Sequence, residues 1–207
     1  MFEKVISPLT RKMLKDNPDI GKGFYLAGGT GLALQVGHRK SFDLDFFTNK
    51  EFYPDSIVDS IKPDKILYAE KNTLHLIKSS TKLTFLYYGE RLVLPLLDWN
   101  TLKIADYRDI ASEKIKTISQ RGLKKDFYDV YAAIKEGLTI KDLCKLFKKK
   151  FNKSGMNNYH IIRSIVYFSD AENNSDVKLL KTGVEWKWER VKSFFKLNYI
   201  EFEKHLK

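Results

Sequence analysis

The sequence predicts an α+β protein in which a small mixed sheet with flanking helices is followed by a helical C-terminal region. Three observations predict it. "SFDLDFF" at 41–47 alternates strictly, with Phe42, Leu44 and Phe46 on one side and Ser41, Asp43 and Asp45 on the other. Several runs rich in β-branched and aromatic residues follow before residue 100. From Asp106 onward the apolar spacing changes to that of helices.

Taken in order, "GFYLAGG" reads as a short strand entering a glycine turn, and "TGLALQVGH" as a brief helix packing through Leu32, Leu34 and Val36. The aspartate strand comes next. "YPDSIVDSIK" reads as a surface helix started by Pro54, Asp55 and Ser56. "KILYAE", "TLHLIK" and "KLTFLYY" are three strands, the first two joined by a Lys-Asn hairpin turn. "RLVLPLL" reads as an edge strand, because Pro95 has no N–H to give a ladder. "DYRDIASEKIKTISQRG" is a helix capped by Asp106 or Asp109 and stopped at Gly122. "KKDFYDVYAAIKEG", "TIKDLCKLFKKKF", "NYHIIRSIVYF" and "VEWKWERVKSFFKLNYIEFEKHL" are further helices, with "SDAENNSD" a polar loop.

Composition narrows the functional classes. A chain of 207 residues that is 43% hydrophobic can bury a substantial core. No apolar run approaches the ~20 residues of a membrane span, and no secretory signal stands at the start, so a cytoplasmic protein without membrane association is expected. Cys144 is the only cysteine, which excludes an internal disulfide and a cysteine-rich zinc site. The formal charge of +11 favours polyanionic partners such as nucleotides or nucleic acid, although a lysine-rich soluble protein would show the same surplus.

The span "LAGGTGLALQVGHRKSFDLDFF" concentrates the chemistry. Asp43 and Asp45 share a strand face at a Cα spacing of roughly 6–7 Å, and two carboxylates that close repel unless a cation or solvent separates them. Mg2+ (or Mn2+) suits such a pair, because it takes one or two carboxylates and completes its octahedron with phosphate oxygens and water. A half-exposed strand with a polar outer face explains an isolated D-x-D equally well. The glycines upstream add weight. Gly28, Gly29 and Gly31 allow a ligand close to the backbone, and a helix beginning at Thr30 would aim free N–H groups at phosphate. The turn is neither a Walker A loop nor a dinucleotide fingerprint. Arg39 is a candidate ligand contact, His38 is open, and Lys40 completes the patch; no second His or Cys is spaced to make a zinc site.

These residues resemble the nucleotide-binding signature of the AbiEii/AbiGii nucleotidyltransferase toxins, a family of type IV toxin–antitoxin and abortive-infection systems within the polymerase β-like superfamily. "IASEKIKTISQRGLKKDFYDVYAAI" resembles the family's later signature: a helix lysine, an Arg-Gly turn, then Lys/Arg-Asp and a further Asp. The resemblance implies a nucleotidyltransferase fold, with residues 1–105 as the α/β core and 106–207 as a helical region contributing Lys114 and Asp126. It implies transfer of a nucleoside monophosphate from an NTP to an acceptor hydroxyl, an RNA such as tRNA as acceptor, and a cognate antitoxin encoded nearby. Asp43 and Asp45 would hold the metal. Gly28, Gly29, Thr30, Arg39, Ser41 and Lys114 would bind nucleotide, Asp126 would complete the catalytic set and Asp129 would support it. The alternatives are a protein nucleotidyltransferase and a non-catalytic nucleotide- or RNA-binding module that has lost turnover. The last is kept open by a departure: "KLTFLYY", matching the strand that usually carries a third metal carboxylate, has no acid.

Lys114 is odd without any resemblance. It shares a helical stripe with Tyr107, Ile110, Ala111 and Ile118, so it either snorkels to solvent or is aimed at phosphate charge. Asp126 and Asp129 lie in the first turn of the next helix, where they also suit its dipole. In "KDLCKLFKKKFNK", Leu143, Cys144, Phe147 and Phe151 make one face, while Lys141, Lys145, Lys148, Lys149 and Lys153 read as a solvated face or a contact for RNA phosphates. Tyr159, Trp186 and Trp188 are either core residues or base-stacking platforms.

Overall fold

The computed structural model describes residues 1–152, 155–173 and 176–207. The elements run α1 (Pro8–Asp16), β1 (Tyr25–Leu26), α2 (Gly28–Val36), β2 (Asp43–Thr48), α3 (Pro54–Ile61), β3 (Lys65–Glu70), β4 (Thr73–Lys78), β5 (Thr81–Tyr87), β6 (Leu97–Trp99) and β7 (Leu102–Ile104). The helical half continues with α4 (Tyr107–Gln120), α5 (Lys124–Lys135), α6 (Ile140–Phe151), α7 (Asn158–Ser164), α8 (Ser169–Glu172), α9 (Trp188–Leu197) and α10 (Tyr199–Leu206).

The strands form one mixed sheet in the order β3-β4-β5-β2-β1-β7-β6. β2 is central, parallel to β5 and antiparallel to β1. Alternation along β2 sorts its side chains. Leu44 and Phe46 are fully buried and join Leu26, Leu74, Leu76, Leu83, Phe85 and Ile104 in a core beneath α1 and α3. Phe47 and its neighbour Tyr25 face the other way, toward a second core built around Phe127, Phe195 and Phe202 of the helical half. The space between that sheet face and α4 is where the functional residues gather.

Several expectations need correction. Phe42 is 55% exposed, because β2 begins only at Asp43 and the preceding residues do not follow its alternation. The run at 91–97 is not an edge strand before Leu97; the Val93 and Leu94 N–H groups donate to Asp109 Oδ2 at 2.8 and 2.7 Å, so a buried carboxylate replaces a strand partner. The helix beside Gly28 starts two residues earlier than Thr30. The last segment is not one helix: a 3-10 turn at Val184–Trp186 precedes α9, and the chain bends at Asn198 before α10. The polar loop carries the short α8, while its Asn174 and Ser175 lie outside the described residues, as does Lys153. Among the described residues no helix is long and apolar enough to cross a membrane.

Candidate functional site

A cleft of about 330 Å³ separates the sheet from α4. Gly28, Gly29 and Asp45 line it from the sheet side, and Lys114 and Arg121 from the helix side. The sequence places them there by simple means. β1 ends at Leu26, Ala27 N–H donates to the Asp45 carbonyl at 2.9 Å, and α2 starts at once, so its opening turn lies against the aspartate strand. Gly28 sits at φ +59°, and a Cβ there would collide with Asp45 Oδ2. Only glycine meets both demands. The first N–H groups of α2 have no intrahelical acceptor and carry the positive end of its dipole.

Opposite them, α4 presents Ile110, Glu113, Lys114, Thr117 and Gln120 to the cleft, and Arg121 follows at its C-terminal cap. These positions follow helical spacing, so one face of α4 forms most of that wall. Lys114 does not snorkel. It is 5% exposed, and its Nζ lies 2.7 Å from Asp126 Oδ1 and 2.8 Å from Asp129 Oδ2. Arg121 grips the same Asp126 through Nε at 3.0 Å and Nη2 at 3.1 Å. Asp126 and Asp129 are themselves fully buried, one turn apart on α5.

The electrostatics follow from this arrangement. Burial alone would raise the Asp129 carboxyl, but Arg39, Lys114 and His38 together hold it well below the carboxylate range. Burial opposes ionisation of Asp126 too, and Lys114 and Arg121 outweigh it. Burial would lower the Lys114 ammonium; Asp129 and Asp126 raise it instead, so it stays charged. Asp45 is the contrast. Burial and the neighbouring Asp43 carboxylate push it above the usual range; Lys114, Lys125 and Lys82 offset this only in part, and among the described residues no cation forms an ion pair with it. The site thus holds committed cations on one wall and an under-compensated carboxylate on the other.

That imbalance fits a divalent ion at Asp43 and Asp45, with phosphate oxygens and water as the remaining ligands. Among the described residues no group of three or more His, Cys, Asp or Glu could hold a metal. Asp126 therefore does not join the two aspartates in a three-carboxylate centre; it anchors Lys114 and Arg121. The β5 residues in register with Asp43 and Asp45 are Lys82 and Thr84, neither of them acidic.

Other expected nucleotide contacts lie behind the site. Thr30 is 1% exposed, with its hydroxyl 2.6 Å from Ser41 Oγ and also against the Asp43 carbonyl, so Thr30 and Ser41 tie α2 to β2. Arg39 is buried, donating to Asp129 at 2.7 and 2.9 Å and to the Lys40 carbonyl at 3.0 Å. His38 Nε2 lies 2.8 Å from Asp129 Oδ1, and burial lowers its pKa despite that partner. Trp186 is buried against Tyr131, Trp188 packs on Phe127, and Tyr159 is 64% exposed. Sequence reasoning missed Arg121 and Lys150. Arg121 stands in the Arg-Gly turn after α4, a signal that was visible. Lys150 is buried against Asp109 and Glu113, and nothing in a lysine-rich run marks it out.

A glycine turn, a two-aspartate strand and an opposed cationic helix, set on this mixed sheet with its helical second half, define a nucleotidyltransferase fold. Two solved structures share it: MenT4, a nucleotidyltransferase toxin from Mycobacterium tuberculosis, at TM-score 0.58 and 14% identity over 94% of this chain and 87% of that one, and a Helicobacter pylori protein provisionally called a nucleotidyltransferase, at TM-score 0.52 and 17% identity over 95% and 94%. The chain belongs to the nucleotidyl transferase AbiEii toxin family of type IV toxin–antitoxin systems, whose sequence model matches residues 12–84 and 82–193. An uncharacterized Aquifex aeolicus protein is 40% identical over 187 residues, 86% of this chain and 87% of its own length.

Proposed function

We propose that the protein transfers a nucleoside monophosphate from an NTP to an acceptor hydroxyl on RNA, releasing pyrophosphate, and acts as the toxin of a type IV pair with an antitoxin encoded nearby. The observation that carries this reading is the meeting, in one cleft, of the Gly28–Gly29 turn and Asp45 with Lys114 and Arg121. The α2 N-terminus and Lys114 bind and orient the triphosphate, and Arg121 adds charge toward the leaving pyrophosphate. Asp43 and Asp45 hold Mg2+ or Mn2+, which when bound supplies charge neutralisation on the phosphates. Positioning and fixed electrostatics provide the rate, with no covalent enzyme intermediate. The net charge of +11 supports an RNA acceptor, tRNA being the form to test first.

The test is incubation with each α-labelled NTP, Mg2+ and total tRNA. Wild type is expected to label RNA and Asp43→Ala to leave it unlabelled. Equal labelling by the two would overturn the RNA reading, while label on protein would identify a Ser, Thr or Tyr hydroxyl as acceptor. One observation favours a second reading, a binding module without turnover: Lys82 and Thr84 occupy the β5 positions beside the aspartates. That reading predicts Mg2+-dependent binding with the NTP unaltered.

A further inference from the structure

The far end of the cleft carries polar groups that phosphate handling does not use. Residues two apart on β2 share a face, so Asp43, Asp45 and Phe47 follow one another at roughly 7 Å per step. At Phe47 the lining turns aromatic. Tyr25, its partner in register on β1, lies with ring centroids 6.1 Å apart, and Tyr88 meets Phe47 edge-on at 5.7 Å. Leu92, Ala105 and Ile110 extend this apolar wall.

Two charges stand within it. Lys150 reaches in from α6, its Nζ 2.6 Å from Glu113 Oε2 and 3.2 Å from Asp109 Oδ1, with a side chain only 3% exposed. The Tyr88 hydroxyl donates to Glu113 Oε1. Glu113 Oε2 is shielded from solvent and held by Lys150, while the Glu113 side chain as a whole stays 26% exposed. A carboxylate offers about four acceptor sites. Glu113 is therefore fixed by groups from two other segments, and the lone pair of Oε1 that Tyr88 leaves free keeps acceptor capacity beside an otherwise apolar wall. An ion pair in such a place is poor stabilisation relative to apolar packing. A ligand gives it a purpose.

We propose that this compartment receives the nucleobase and that Glu113 reads it, its carboxylate accepting from an amino or imino N–H on the base edge while Tyr25, Phe47 and Tyr88 supply aromatic surface to the ring. The proposal rests on the nucleotide reading above. The spacing suits it: Glu113 and Lys114 are consecutive on α4, and Phe47 follows Asp45 by one strand step, so base and phosphate contacts are separated by about the size of a sugar.

The experiment is calorimetric titration of the full chain with ATP, GTP, CTP and UTP separately in Mg2+. Wild type is expected to rank the four. Glu113→Gln, which keeps the shape but swaps an acceptor for a donor, is expected to change the affinity ratio of best to next-best base by about tenfold. Tyr88→Phe, which releases the hold on Glu113, is expected to shift the ratio the same way by less. A folding or phosphate-binding defect weakens all four in proportion, so uniform weakening by Glu113→Gln would overturn base reading alone. Four equal wild-type affinities would overturn it too, and wild type binding none of the four would overturn it together with the nucleotide reading.

Discussion

Lys114 Nζ and Asp129 Oδ2 lie 2.8 Å apart, both almost out of reach of solvent, on helices joined only by the Arg-Gly turn. The pair belongs to a larger buried network. Asp129 also binds Arg39 and His38, and Lys114 also binds Asp126. Three elements that must meet for the cleft to exist, the approach to β2, α4 and α5, are thereby fastened at one carboxylate.

Removing that carboxylate's charge leaves Arg39 and Lys114 under-compensated in the interior. Asp129→Asn is expected to destabilise the fold by about 3–5 kcal/mol, because breaking a buried pair strands its partners. Urea unfolding followed by circular dichroism measures it. A loss under 1 kcal/mol would show the network to be incidental.

Arg121 is different in kind, since its side chain is 48% exposed while it lines the cleft. Arg121→Ala is expected to leave Tm within a few degrees of wild type and to weaken NTP binding about tenfold or more. Arg121→Lys recovers part of the affinity, because it restores charge without the planar fork. Unchanged affinity in Arg121→Ala would remove it from the site.

Gly28→Ala tests the turn. The αL backbone costs a non-glycine residue about 1–2 kcal/mol, and the new methyl displaces Asp45 Oδ2. The variant is expected to fold, with reduced Tm, and to lose Mn2+-dependent NTP binding; Gly137→Ala, also at positive φ but with open space around it, is expected to lose stability alone.

Acid is expected to unfold this protein through its buried aspartates. Asp126 and Asp129 titrate below 3.8 in the fold, so their contribution is complete above 3.8 and is lost as pH falls through their folded values. His38 is held below 6.5, so from 6.5 downward the unfolded chain takes up a proton that the folded chain refuses. Asp45, shifted upward, works the other way and opposes His38 above 3.8, whereas below 3.8 the two paired aspartates dominate. Tm is expected to change little between pH 6.5 and 3.8, where His38 and Asp45 oppose one another, and to drop steeply below 3.8. A Tm that holds below pH 3.8 would contradict the ionised, paired state of buried Asp126 and Asp129.

Local patterns carried much of the architecture. The alternation of 43–47, the turn residues and the caps mark out most strands and helices, and the misplaced lysine of α4 is visible on its apolar stripe. What stayed hidden depends on long-range pairing. Arg39 and Ser41 read as cleft residues because they flank the aspartates, yet one is held by Asp129, ninety residues away, and the other turns inward to Thr30. Lys150 is chemically identical to its exposed neighbours until Asp109 and Glu113 are placed around it. β6 and β7 span only three residues each, too short for any periodicity to announce them.

The residues leading into the aspartate strand are laced to a late part of the chain: Lys40 N–H donates to the Lys178 carbonyl, Leu180 N–H to the His38 carbonyl, and Arg39 bridges Leu179. A ribosome must therefore have passed Leu180 before this approach can lock. Nascent or prematurely terminated product carries the aspartates without their brace. If the proposed transfer is its activity, chains that stop short of Lys178 are expected to lack it.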